Sequence, residues 1–288
     1  MDERLQLRVQ RYGWDRAAAA YEASWQAPLA MARQALLEGL RPVAGEHVLD
    51  VACGTGVLVA ELARVVGPGG EVVGVDLSQA MVDVANLRER EPTSAPTRHE
   101  RMDAQSLAFP DASFDVVLCA FGLMYVPDPE RALAEMRRVL RPGGRVGLAA
   151  WGERARCAWA PVFPIVDAEV ASEVCPLFFR LGARDALARA CRDAGLAVSW
   201  QSRLADPLRY PDADAACAAM FEAGPVALAW TRFGADVRAR VRERYLEAIA
   251  PWRDGAGYVL PAELVCLGAM SAPRRASPPT ASSSTTRC

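Results

Sequence analysis

The sequence contains no lysine; all 33 of its basic residues are arginine. Lysine Schiff-base chemistry and a phosphate-binding P-loop lysine are thereby excluded. Histidine occurs only at positions 47 and 99. The eight cysteines (53, 119, 157, 175, 191, 217, 266 and 288) are scattered, with no CxxC pair and no metal-type spacing. No metal is expected, and most thiols read as small apolar fillers in a reducing compartment. No stretch approaches the roughly 18 uninterrupted apolar residues of a membrane-spanning helix. The first residues, MDERLQLRVQRYGWD, lack the apolar core of a signal peptide. Together these features predict a cytoplasmic protein. With a net charge of -2 and no long basic block, nucleic acid is a poor partner.

What remains is a chain of 288 residues, 52% hydrophobic and 24% charged, with material for a substantial core. Residues 14–40 read as helices broken near Pro28. His47 to Val51 is a short apolar run ending in the turn Cys53-Gly54-Thr55-Gly56. An amphipathic helix follows, with Leu58, Leu62 and Val65 on one face, stopped by Gly67-Pro68-Gly69-Gly70. Glu71 to Asp76 predicts a second strand. Ser78 is placed to cap the next helix, whose apolar side carries Met81, Val82 and Ala85. A weaker strand around Arg98 to Met102 leads to Asp103. Phe114 to Phe121 is a nearly continuous apolar run, as in a strand buried on both faces. Asp128 and Pro129 open a helix that buries Leu133, Met136, Val139 and Leu140, and Arg145 to Ala150 predicts a fifth strand.

This alternation predicts a parallel sheet with helices on both faces. The rhythm lapses over residues 151–195, where Trp151, Trp159, Phe163, Phe178 and Phe179 predict inserted helices over the carboxyl edge of the sheet. Leu196 to Leu204 predicts another strand, residues 212–250 helices, and Tyr258 to Leu267 a last strand. The Ser-, Thr- and Pro-rich tail from Ser271 is expected to be disordered. The expected division is a helical cap (1–40), a ligand-binding core (41–152), a lid and substrate region with the last two strands of the same domain (153–270), and the tail (271–288).

The chemistry concentrates at three strand ends. In Asp50-Val51-Ala52-Cys53-Gly54-Thr55-Gly56, glycines permit a sharp turn and close approach of a ligand. Backbone N–H groups at the following helix start suit a carboxylate, and Asp50 suits an ammonium group. Asp76, 20 residues after Gly56, can accept hydrogen bonds from ribose hydroxyls. Asp103 can accept from an adenine amine, with Leu77, Met81 and Ala104 as apolar walls. The three together describe an adenosine bearing an amino acid. The plainer alternatives are a tight turn at the glycines, a helix cap at Asp76 and a surface acid at Asp103. Asp111 and Asp115 read as turn formers, and His47 and His99 as structural or surface groups.

The stretches VLDVACGTGVLVAELA, EVVGVDLSQAMVDVA and MDAQSLAFPDASFDVVLCAFGLMYVPDPERALAEMRRVLRPGGRVGLAAW resemble the class I S-adenosylmethionine-dependent methyltransferases. More narrowly, they are similar to the ubiquinone/menaquinone-biosynthesis type and its small-molecule relatives. The resemblance covers residues 12–152. It implies an α/β, Rossmann-like sheet of seven strands, mostly parallel with the last antiparallel, with helices on both faces and a helical lid insertion. It implies S-adenosylmethionine over the carboxyl ends of the first strands. Asp50, Ala52, Gly54 and Gly56 would bind the methionine part, Asp76 and Leu77 the ribose and adenine side, and Asp103 and Ala104 the adenine. The backbone of Cys119 and Ala120 would lie near the sulfonium. Tyr21 would close over the cofactor, with Trp14 and Trp25 as neighbours.

No catalytic acid or base is identified. The acceptor is expected to be a small apolar metabolite, quinone-, polyketide- or phenol-like, because the region after residue 151 is rich in Trp, Phe, Leu and Ala. Phe121, Tyr125 and Trp151 are candidate linings of its pocket. Oxygen and carbon acceptors fit equally, and a monomer or homodimer is expected. Two rival readings differ in class. In a nicotinamide-dependent dehydrogenase the third glycine of G-x-G-x-x-G would fall at Val59. A catalytically inactive methyltransferase-like binding protein would have no need of the acids at 50, 76 and 103.

Overall fold

The computed structural model describes residues 3–170, 175 and 177–272. Helices α1 (Glu3–Trp25) and α2 (Ala30–Leu40) flank the bend at Pro28. The helix before the bend begins well ahead of residue 14 and runs through Gly13, where α1 packs closely against Leu228. A regular alternation follows: β1 (His47–Val51), α3 (Val57–Val66), β2 (Glu71–Asp76), α4 (Gln79–Asn86), β3 (Thr97–Arg101), β4 (Phe114–Ala120), α5 (Pro129–Val139) and β5 (Leu140–Trp151). Beyond it lie α6 (Val162–Val170), α7 (Ala186–Asp193), β6 (Leu196–Ala205), β7 (Leu208–Tyr210), α8 (Ala213–Phe221), α9 (Ala227–Arg232), α10 (Ala235–Ile249), β8 (Arg253–Asp254), β9 (Gly257–Leu260) and β10 (Glu263–Ser271).

Seven strands form one sheet in the order β3-β2-β1-β4-β5-β10-β6, with β10 antiparallel to both neighbours and the β3-to-β5 half parallel. Alternate residues feed two cores, one on each face. Val48, Val116 and Leu118 join α2 and α3 on one side. Leu49, Val51, Val117 and Cys119 join α5 and α7 on the other. That is why β1 and β4 read as mainly apolar runs without alternation. The strand order reverses between β1 and β4, which opens a crevice beyond their carboxyl ends.

Several expectations need correction. The last strand is two strands, because Pro261, with no N–H and a fixed φ, ends β9. β9 pairs with β7 and β8 in a separate three-stranded sheet, and β10 alone completes the main one. Val65 is exposed; the buried face of α3 runs through Leu58, Leu62 and Val66, four residues apart. α7 does not lie over the carboxyl edge but against α5 and β6, in the core of the opposite face. Asp115 does more than shape a turn: it accepts hydrogen bonds from the His47 N–H at 2.9 Å and from Arg141 at 2.6 Å. Ser271 ends β10 and donates to the Arg141 carbonyl, and the expected tail lies, from residue 273, outside the described residues.

Ser78 caps α4 as expected, its Oγ accepting from Met81 N–H at 3.2 Å. The same hydroxyl donates to Asp15 of α1 at 2.6 Å, and Asp15 also accepts from Ala80 N–H. Ser78→Ala removes the cap and one donor to Asp15. It should lower unfolding stability by about 1–2 kcal/mol, measured as a reduced urea midpoint with unchanged slope.

Candidate active site

Two backbone kinks set the floor of the crevice. Ala52 (φ 58) follows β1 and Phe121 (φ 60) follows β4, both in the left-handed region that side chains avoid, at about 1–2 kcal/mol each. Gly122 lets them sit together: a Cβ there would fall 2.3 Å from the Ala52 Cβ. Gly54 (φ 54) turns the chain back so that its N–H donates to Asp76 Oδ2 at 2.9 Å.

Three cavities open above this floor. The first, about 700 Å³, is walled by Leu77, Met81, Met102 and Ala104, with Asp76 and Asp103 among its polar groups. The second, about 490 Å³, holds Asp50, Thr55 and Arg33 beside Ala52 and Gly54. The third, about 360 Å³, is mostly aromatic, with Trp14, Trp25, Tyr125, Trp151, Trp159 and Phe178. Tyr21 and Phe121 line all three. The cavities therefore meet at one junction beneath α1.

The electrostatics are those of a site poised for a charged, hydroxylated ligand. Asp50 is buried and, among the described residues, its Oδ1 has no hydrogen-bond partner; Thr55 Oγ1 is likewise buried and unpartnered there. Burial, then the Asp76 and Glu61 charges, push the Asp50 carboxyl well above the usual range. Asp76 is lifted to about 6, chiefly by burial, against the lowering effect of N–H donation from Ser78 and Gly54. Arg33 bonds to Glu61 at 3.1 Å and to the Gln26 carbonyl at 2.9 Å. The second cavity thus offers an unpartnered carboxylate oxygen, a hydroxyl and a guanidinium. That set complements an α-amino acid, whose ammonium and carboxylate need opposite partners. Burial raises the phenols of Tyr21 and Tyr125 further above their ordinary value, with Asp76 adding to the effect on Tyr21 and Cys175 to that on Tyr125. Neither phenol is a ready base near neutral pH.

α1 roofs the junction and is tied down at two points. Asp15 grips the start of α4 through Ser78 and Ala80. Glu22 pairs with Arg88, which also donates to the Thr55 carbonyl of the glycine turn at 2.6 Å. Trp14 packs edge-on against both Tyr21 and Tyr125, with ring centroids 5.9 and 5.0 Å apart.

Tyr21, Asp50, Ala52, Gly54, Asp76, Leu77, Met81, Asp103, Ala104 and Ala120 lie on the first or second cavity, and Phe121, Tyr125 and Trp151 on the third. Gly56 and Cys119 do not line these cavities. Gly56 starts α3 with φ 78 and faces Ala85 and His99. Strand alternation turns the Cys119 side chain into the opposite core. Asp103 accepts from the Gln105 N–H two residues on, at 2.9 Å. Leu7, Gln10, Arg33, Thr55, Met102, Gly122 and Val126 also line the site and were not singled out from the sequence. α1 and α2 carry no motif that marks Gln10 or Arg33. The signal for Gly122 was present, as the lone glycine directly after a buried strand.

Residues 49–148 match the family profile described as "Methyltransferase domain". The chain is 41% identical over 117 residues to a demethylmenaquinone methyltransferase of Lactobacillus johnsonii, covering 40% of this chain and 48% of that protein. It is 45% identical over 111 residues to a ubiquinone/menaquinone biosynthesis C-methyltransferase of Teredinibacter turnerae, covering 38% and 44%. The matched segment spans about half the length of these curated relatives. In fold, the chain is similar to the [4+2]-cyclase SpnF, with a TM-score of 0.56 and 20% identity over 94% of each chain. The glycine turn, the acids at its strand ends and the matched segment coincide: residues 49–148 are similar to methyltransferase domains, and it is this part of the chain that the relatives share.

Proposed function

We propose that this chain transfers a methyl group from S-adenosylmethionine to a carbon or oxygen of a flat, apolar aromatic acceptor of quinol or phenol type. The observation that carries the reading is the junction at Tyr21 and Phe121, where an acidic, amino-acid-sized cavity, a nucleoside-sized cavity and an aromatic cavity meet. Asp50, Thr55 and Arg33 would hold the methionine part. Asp76 and Leu77 would hold the ribose, and Met81, Met102, Asp103 and Ala104 the adenine. When bound, S-adenosylmethionine supplies an activated methyl group on a sulfonium. The residues then have to position the acceptor and keep water out. Aromatic faces at Tyr21 and Phe121 would also favour a cation at the junction, by about 0.5–2 kcal/mol.

The acceptor class rests on the third cavity, whose Trp, Tyr and Phe faces suit stacking against a planar ring. The relatives named for demethylmenaquinone and for ubiquinone/menaquinone biosynthesis support the same class. With a net charge of -2, the chain suits a small molecule better than nucleic acid. No helix of the described residues is long and apolar enough to cross a membrane. We read the protein as a cytoplasmic monomer or homodimer.

The test is calorimetric titration with S-adenosylhomocysteine, followed by a labelled-methyl assay over naphthoquinols, phenols and polyketide-like aromatics, with mass spectrometry of the products. Binding of S-adenosylhomocysteine and label in an aromatic product are expected. Binding of NAD in its place, or cofactor binding without turnover on any aromatic acceptor, would overturn the reading.

A further inference from the structure

We propose that Trp159 determines specificity in the aromatic cavity, its indole Nε1–H donating a hydrogen bond to an oxygen on the ring of the acceptor. The inference rests on the methyl-transfer reading above and extends it to a residue outside the matched segment of 49–148.

Trp159 walls the third cavity and is only 1% exposed. Its Nε1 is buried and has no hydrogen-bond partner among the described residues. The contrast with Trp25, on the same cavity, is direct: Trp25 Nε1 donates to the Ala223 carbonyl at 3.1 Å. Around Trp159 stand the rings of Trp151, Phe163, Phe178 and Phe179, with centroids 4.9 to 5.9 Å away. These rings carry no oxygen. A buried N–H left without an acceptor costs on the order of 1–3 kcal/mol, and phenylalanine would fill much of the same space without it. An N–H lying over a neighbouring ring recovers only part of that cost. A donor held ready in an apolar cavity is what lets a site tell an oxygenated ring from its hydrocarbon shape, because only the former satisfies it. The ligand class is therefore a planar aromatic or quinonoid ring bearing a carbonyl or hydroxyl oxygen, stacked within the cage.

The probes are 2,3-dimethyl-1,4-naphthoquinone, whose blocked ring carbons cannot alkylate thiols, and 2,3-dimethylnaphthalene, which lacks both oxygens. Each is titrated into the wild type and Trp159→Phe with S-adenosylhomocysteine present. The wild type should prefer the quinone, and the variant should lose that preference about 10- to 100-fold, the equivalent of one lost hydrogen bond. S-adenosylhomocysteine affinity should stay within about twofold, which also reports that the variant is folded. In protein carrying ¹⁵N-tryptophan, the Nε1–H resonance missing from the variant should move downfield with the quinone and not with the hydrocarbon. Equal preference in wild type and variant, or an indole resonance indifferent to the quinone, overturns the role of Trp159 while leaving the methyl-transfer reading intact. If S-adenosylhomocysteine itself fails to bind, both fall; if it binds but neither probe does, the acceptor class and the role of Trp159 fall together.

Discussion

Gly122→Ala is expected to weaken S-adenosylhomocysteine binding by about 30- to 100-fold, roughly 2–3 kcal/mol, through overpacking of the crevice floor. The glycine has φ −92 and ψ −42, a conformation open to alanine. On backbone grounds alone the change would be neutral or slightly stabilising. The added Cβ, however, would stand 2.3 Å from the Ala52 Cβ and 2.9 Å from Cys119 Sγ. The Cys119 Sγ can turn about χ1, but the Ala52 Cβ is fixed to the backbone and cannot. The strand ends must separate, and Ala52 begins the turn that brings the Gly54 N–H to Asp76. The loss should therefore appear in ligand affinity as well as in stability. Gly234→Ala is the matched control, since its site is open and its φ is −69. Titration calorimetry on the two variants separates the readings: equal affinities would mean that the β1 and β4 ends yield without disturbing the turn.

The parallel half of the fold was legible because its signals are local. His47–Val51 and Phe114–Ala120 are mainly apolar, since each face of the sheet is covered, and Ser78 and Asp128 cap their helices as their positions predict. β3 gave a weak signal for an equally physical reason. It is an edge strand, reading Thr-Arg-His-Glu-Arg, and pairs only with β2. The last strand was misjudged because Tyr258 to Leu267 has the composition of one strand, yet Pro261 hands its two halves to different sheets. Of the site, the glycine turn and the acids announced themselves by spacing. Arg33 and Gln10 could not, since they come from helices whose role depends on tertiary packing alone, and Trp159 stood out only as one of the aromatics of the lid region. Cys119 shows the limit of motif matching: the motif fixes a backbone position, and the alternation of β4 decides that its thiol faces the core.

Asp76→Ala should lower S-adenosylhomocysteine affinity by about 1.5–3 kcal/mol, the loss of hydrogen bonds to a charged acceptor, and should change how affinity depends on pH. In the ligand-free protein Asp76 titrates at about 6, because burial opposes its charge more than the Ser78 and Gly54 N–H groups favour it. A carboxyl raised above its unfolded value contributes stability that is complete below about 4 and disappears as pH rises through about 6. Ligand hydroxyls act in the opposite direction, since they donate to the ionised form. Affinity should therefore rise with pH to a plateau above about 6 and fall about tenfold per unit below it, more steeply where Asp50, also raised by burial, protonates as well. In Asp76→Ala the limb should become shallower, with Asp50 alone remaining. Ligand-free melting should show the mirror image, the wild type losing more stability between pH 4 and 6 than the variant, in which Asp50 alone remains raised. A ribose held by other groups predicts the reverse pattern, with affinity at pH 7.5 and its pH profile both untouched by the substitution, and titrations of the two proteins between pH 5 and 8 distinguish the two outcomes.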